Sequence, residues 1–246
     1  MTTRPAAGSG GGSAPRRSYD ALLTDVEATL ASGELAVGDQ LPGERVLAGK
    51  YGISRASVRE AIRILDAMGI LQVPRNSGPR SGPLVIATPS KGLGSALRLH
   101  VAAKKLPVAD IVETRILLEG WAARTSPERL GPEALQEAHG LLEAMDAPDI
   151  EPGAFHELDA RFHVALSRLG GNVVIETMME ALGGAISGYI GDALATLGDA
   201  PTVLDELRGQ HHSIFAAVSS GERDTAARLM GEHISWLHDR ARSERE

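Results

Sequence analysis

Two groups of residues in this 246-residue chain have types and spacings that could do chemistry. In the stretch Phe155-His156-Glu157-Leu158-Asp159-Ala160-Arg161-Phe162-His163, Asp159 and His163 stand four apart, which puts both side chains on one face of a helix. His211 opens another helical run, and His233 lies near the middle of the last one, beyond the Ser219-Ser220-Gly221 turn. If those two helices fold back antiparallel, their imidazoles can face a common centre across the pair. Three neutral imidazoles and one carboxylate make a divalent-metal set, and by ligand type zinc, nickel, manganese or iron would suit it. A histidine on an apolar face is more often a hydrogen-bonded core residue, and His156 shares the face of Asp159 and His163. Spacing alone therefore leaves the set open.

The second group is cationic. Arg55, Arg59 and Arg63 recur every four residues along a helix expected from Ser54, its cap, to about Met68, while Val58, Ala61, Ile62 and Leu65 form that helix's buried stripe. Before it, Tyr19, Leu22, Leu23, Val26 and Leu30 mark a first helix, and Glu44 to Lys50 a short second one. Tyr51-Gly52-Ile53 is the tight turn that delivers the third. Two extended runs follow, Leu71-Gln72-Val73 and Leu84-Val85-Ile86, separated by a long basic tip rich in Pro, Gly and Ser. Helix, turn, arginine-faced helix and hairpin in that order describe a winged helix-turn-helix that lays arginines on DNA.

Composition restricts the alternatives. Zero cysteines exclude disulfides, thiolate metal sites and cysteine nucleophiles, so metals have only nitrogen and oxygen ligands. Aromatics at 3% argue against a surface that stacks unpaired bases. The net charge of −7 is uneven: residues 1–91 carry 11 Lys/Arg against 8 Asp/Glu, and residues 92–246 carry 14 against 24. A polyanion is therefore expected at the N-terminal part. No uninterrupted apolar run reaches the roughly 20 residues of a membrane span, which reads as a soluble, cytoplasmic protein with no membrane partner.

Residues 1–17 read as a disordered tail, 18–88 as the DNA-binding domain and 89–94 as a linker of Pro, Ser, Lys and Gly. From 95 to 242, six or seven helical stretches separated by Pro and Gly breakers describe an antiparallel bundle. The fold class expected is mainly α: a winged helix-turn-helix with a small β-hairpin, then an all-α bundle.

The segment GDQLPGERVLAGKYGISRASVREAIRILDAMGIL resembles the winged helix-turn-helix of GntR-family transcription regulators, with Gly43 where the family usually has Ser and a wing longer than usual. The resemblance implies that Arg45, Ser54, Arg55, Ser57 and Arg59 lie where family members meet operator phosphates and bases, and that Gly78 or Gly82 in the wing approaches the minor groove. Farther on, D-x-x-FH, then H-x-x-I-x-x-A-V, then A-A-x-x-M-x-x-HI look like the FCD effector domain of the FadR branch. In that domain's metal-binding members the ligands are one Asp and three His, which carry over to Asp159, His163, His211 and His233. His212 falls where the family often has Arg.

The resemblance further implies a small carboxylate effector, with Arg115 reaching it from the first effector-domain helix and Asn172 beside it. A surface Arg115–Glu119 pair and a capping Asn172 are the structural alternatives. It also implies a homodimer on an inverted-repeat operator of double-stranded DNA. A metal-dependent hydrolase or oxygenase of small acids is the competing function, although four protein ligands leave little room for catalysis and no general base is placed nearby.

Overall fold

The computed structural model describes residues 19–73, 82–196 and 200–243. The N-terminal tail and the wing tip, including Gly78, lie outside the described residues. The chain divides into two compact units after Thr88.

The first unit holds α1 (Asp20–Ser32), α2 (Glu44–Tyr51), α3 (Arg55–Ala67), β1 (Leu71–Gln72) and β2 (Leu84–Val85). Its core is the one the apolar spacing selects: Leu22 and Val26 of α1, Leu47 of α2, Val58, Ala61, Ile62 and Leu65 of α3, and Leu71 and Val85 of the hairpin. Burying these side chains stabilises the unit by roughly 1.5–3 kcal/mol each, before the cost of ordering them. Asp25 of α1 ties down α2 by accepting from Lys50 Nζ at 2.9 Å and from the Tyr51 hydroxyl. The helix-turn-helix corner depends on Gly52, whose φ of 65° is the left-handed conformation a side chain resists. Ser54 then starts α3 by accepting the Ser57 amide at 3.1 Å. β1 and β2 pair antiparallel, with Leu71 opposite Val85. The segment before α2 adds a third rail, since the Leu41 amide donates to Pro83 and the Val85 amide to Asp39.

The second unit is all helical: α4 (Pro89–Ala102), α5 (Val108–Thr125), α6 (Pro132–Met145), α7 (Pro152–Arg168), α8 (Val173–Thr196), α9 (Ala200–Ser219) and α10 (Arg223–Ser243). The expected breakers fall between these helices or at their first turns, where proline's missing N–H is harmless. α5 packs on α10, α7 on α6 and α8, and α9 on α10 and α6, around a core that includes Phe155, Phe162, Leu207 and Ile214.

One expectation needs correction. Residues 89–94 are the first turns of α4 and not a linker: Pro89 fits a helix start, and Gly94 is buried against Ala181 of α8. Packing against α8 outweighs the helix-weakening glycines. In α8, Val173–Gly191 is long and apolar enough to cross a membrane by length and composition, despite Glu176 and Glu180. α8 packs in the bundle against α4 and α7.

Candidate functional site

In the second unit three helices converge on one buried cluster of four residues. α7 supplies Asp159 and His163 from adjacent turns of one face, α9 supplies His211 from its second half, and α10 supplies His233. All four are buried, His211 completely. One oxygen or nitrogen from each lies within 4.8 Å of the others. His211 Nε2 is 2.8 Å from Asp159 Oδ1, His163 Nε2 is 3.1 Å from His233 Nε2, and Asp159 Oδ1 is 3.5 Å from His163 Nε2 and 3.9 Å from His233 Nε2. Donor atoms about 2.0–2.1 Å from a tetrahedral ion stand roughly 3.3 Å apart, and these separations straddle that value.

The tautomers follow from the neighbours. His163 Nδ1 donates to the Glu119 carboxylate, whose other oxygen accepts from Arg115 Nε at 3.0 Å. His233 Nδ1 donates to Gln210 Oε1 at 2.8 Å, and Gln210 Nε2 donates to Glu206 at 3.0 Å, which fixes the amide's orientation. With both Nδ1 atoms protonated, a neutral His163 ring would turn its Nε2 lone pair onto that of His233 Nε2, 3.1 Å away. Among the described residues neither nitrogen of buried His211 has an aligned hydrogen-bond partner, although its Nε2 lies close to Asp159 Oδ1. Such a set of orphaned and opposed acceptors is stabilised by a cation at its centre, and the donor set fits a divalent metal.

Electrostatics agree. Burial alone would lower the His163 pKa, but the Glu119 and Asp159 carboxylates outweigh it and raise it to about 9. Without a metal, that proton is the cation the site attracts. Burial would raise Asp159, yet the charge and hydrogen bond of His163, with His211, hold it well below the usual carboxylate range. Burial lowers His211, and burial with the neighbouring His211 and His163 lowers His233 still further, so both are neutral ligands at physiological pH.

The other sequence candidates separate cleanly. His156 is buried beside this group, but its Nε2 pairs with Ser187 Oγ at 3.2 Å and its Nδ1 stays 3.9 Å from Asp159 Oδ2. His212 is exposed and bonds Asp146 at 2.9 Å. Arg115 and Glu119 are paired as the spacing suggested, yet deeply buried and not on the surface. Asn172 takes the capping alternative: its Oδ1 accepts from the Val174 and Ile175 amides at 3.0 and 3.3 Å at the start of α8. Glu119 and Gln210 were not anticipated as site residues. The Arg115–Glu119 spacing hinted at the first, whereas Gln210 meets His233 only because α9 and α10 pack together.

Arg115, Asp159, His163 and His233 line one part of a small cavity. Ile186, Tyr189 and Ile190 of α8, with Leu237 and His238 of α10, make up most of the rest. In the first unit, Arg45, Ser54, Arg55 and Arg59 are exposed and Ser57 half-buried. Ser54 Oγ is engaged as the α3 cap, and Arg59 donates to Glu44 across the α2–α3 corner at 3.0 Å.

Residues 110–235 match the FCD domain, and residues 18–80 match the bacterial regulatory proteins of the gntR family. The chain belongs to the GntR family and carries an FCD domain. Among its relatives is the protein assigned as regulator of the L-lactate dehydrogenase operon in Escherichia coli, 27% identical over 91% of this chain and 86% of that one. The transcriptional regulator LutR of Bacillus subtilis is 26% identical over 85% of this chain and 94% of its own length. Among solved structures, Streptococcus agalactiae GntR shares the fold, with a TM-score of 0.56 at 22% identity, covering 90% of this chain and 98% of that one. GntR regulators bind operator DNA and small-molecule effectors. The chain is a transcriptional regulator and not an enzyme, which sets aside the hydrolase or oxygenase reading.

Proposed function

We propose that this regulator belongs to the FadR branch and acts in the cytoplasm as a homodimeric repressor on an inverted-repeat operator. Its FCD domain binds one divalent metal per chain, zinc by preference, and a small carboxylate effector that changes operator affinity. The observation that carries this reading is the convergence of Asp159, His163, His211 and His233 beside a cavity that also receives Arg115. The relative assigned to an L-lactate dehydrogenase operon supports the same ligand class, since L-lactate is a small carboxylate.

When bound, the metal supplies a Lewis-acidic centre whose charge, with Asp159 as the one anionic ligand, is near +1 and attracts an acid's oxygen. The chain does the rest. Glu119 and Gln210 fix the His163 and His233 rings so that Nε2 faces inward, and Glu119 also holds Arg115 at the cavity wall. The apolar wall of Ile186, Ile190 and Leu237 excludes water, which strengthens every charge interaction inside. On the DNA side, Arg55 and Arg59 project from α3 as readers of base edges, and Arg45 from α2 as a phosphate contact. Effector and operator bind different units, so the effector acts by favouring one arrangement of the domains over another.

Anisotropy titration of a palindromic promoter fragment tests the reading, with zinc-loaded and chelator-stripped protein, each with and without L-lactate and other short acids. Zinc-loaded wild type should change operator affinity with at least one acid, and His163→Ala should bind the operator without responding. A stripped wild type that responds fully would reduce Asp159 and the histidines to a polar core.

A further inference from the structure

The Nδ1 atom of His156 is buried and has no aligned hydrogen-bond partner among the described residues, although its ring stands three residues before Asp159 on α7. The other ring nitrogen is engaged, since Nε2 lies 3.2 Å from Ser187 Oγ of α8. A buried polar atom without a partner is rare enough to need a cause. The two oxygens of Asp159 divide their surroundings. Oδ1 is turned to all three imidazoles of the candidate metal set, 2.8 Å from His211, 3.5 Å from His163 and 3.9 Å from His233. Oδ2 is turned to His156, 3.9 Å from its Nδ1.

We propose that His156 is a positioning residue of the metal centre: its Nδ1–H holds Asp159 Oδ2 and thereby presents Oδ1 to the ion. This rests on the reading of the four residues as a metal centre and adds the group that orients its carboxylate.

Three observations carry it. The first is the tautomer its neighbours select. With the proton on Nε2, the ring would aim the Nδ1 lone pair at a carboxylate oxygen, which is repulsive. With the proton on Nδ1, Nε2 accepts from the Ser187 hydroxyl and the N–H faces Oδ2. The second is reach. The gap of about 1 Å to an ordinary hydrogen bond is within the range of rotation about the Asp159 Cβ–Cγ bond, a broad two-fold torsion. The third is the company Asp159 keeps. Glu119 orients His163 and Gln210 orients His233, each through Nδ1. His211 packs against the Phe155 and Phe162 rings, whose centroids are 5.9 and 5.1 Å from its own. Asp159 is the ligand whose orienting partner is still to be named, and the orphaned donor of His156 lies on the side of its outer oxygen.

Zinc affinity of the full-length protein, measured by competition with a chromophoric chelator, tests the proposal. His156→Leu keeps much of the bulk but removes the N–H, and should weaken zinc about 10- to 100-fold. His156→Asn places its amide nitrogen where Nδ1 stands and should stay within about threefold of wild type, whereas His156→Gln, whose amide reaches the Nε2 position, should be as weak as His156→Leu. In an Asp159→Asn background His156→Leu should cost less than about twofold, because the two residues act through one contact. A packing role would rank His156→Gln, nearer to histidine in size, above His156→Asn and would cost the same in both backgrounds. Either result, or wild-type affinity in all the His156 variants, would overturn the proposal while leaving the metal centre in place. Should His156→Leu fail to fold, the comparison of His156→Asn with His156→Gln decides. Wild type that binds no zinc would overturn this inference together with the metal reading beneath it.

Discussion

At the scale of single residues, a metal at the proposed centre would compete with a proton for one place. His163, raised to about 9 by Glu119 and Asp159 against the effect of burial, carries a proton at pH 7 when no metal is bound. Zinc uptake at pH 7 should therefore release about one proton, read by an indicator dye in weak buffer, with release fading as the starting pH passes about 9. The stability sign is the matching one. His163's folded-state pKa lies above its ordinary 6.5, so its contribution to the metal-free fold is complete below that value and is lost as pH rises through about 9. Thermal melts of stripped protein across that window should show the loss, and zinc-loaded protein should not. Replacing either ring-holding residue, by Glu119→Gln or Gln210→Ala, should weaken zinc about 10- to 100-fold without removing a ligand. Zinc affinity left at the wild-type value in both variants would show that the rings are oriented by packing alone.

At the scale of elements, the period of the apolar residues was the legible part. The stripe of α3, the cap at Ser54 and the two-strand hairpin are where spacing placed them, because each is fixed by neighbours a few residues away. Less legible was whatever depends on a distant helix. The glycines at 92 and 94 read as a linker until α8 packs on α4. Gly82 is a further case. A Cβ there would collide with the Leu41 carbonyl, so this glycine serves the approach of the wing strand to the segment before α2. Gly82→Ala should lower the melting temperature of the winged unit by several degrees, and unchanged melting would contradict that contact. On the DNA face, Glu44 holds Arg59 at 3.0 Å in an exposed pair worth little to stability. Arg55→Ala or Arg59→Ala should relax sequence preference at a cost of about 1–3 kcal/mol, whereas Arg45→Ala should weaken all sequences similarly. Equal losses across all sequences for all three variants would place base reading elsewhere.

At the scale of the whole molecule, the metal set was legible only as a possibility. Asp159 and His163 share a helix face by spacing, but His211 and His233 join them through packing that no local pattern encodes. The resemblance to the FCD domain selected the four before any geometry, and the geometry then excluded His156 and His212. One recognition helix per chain reads only a few base pairs, so footprinting should show two protected half-sites in inverted orientation; a monomer protecting one half-site would contradict the dimer. The central claim is that these four residues form a metal centre, and metal content tests it most directly. Full-length wild type, equilibrated with zinc and freed of loosely held ions, should retain about one zinc per chain by elemental analysis, and His163→Ala or His233→Ala should retain almost none. Zinc-free wild type, or variants that retain as much zinc as wild type, would contradict it.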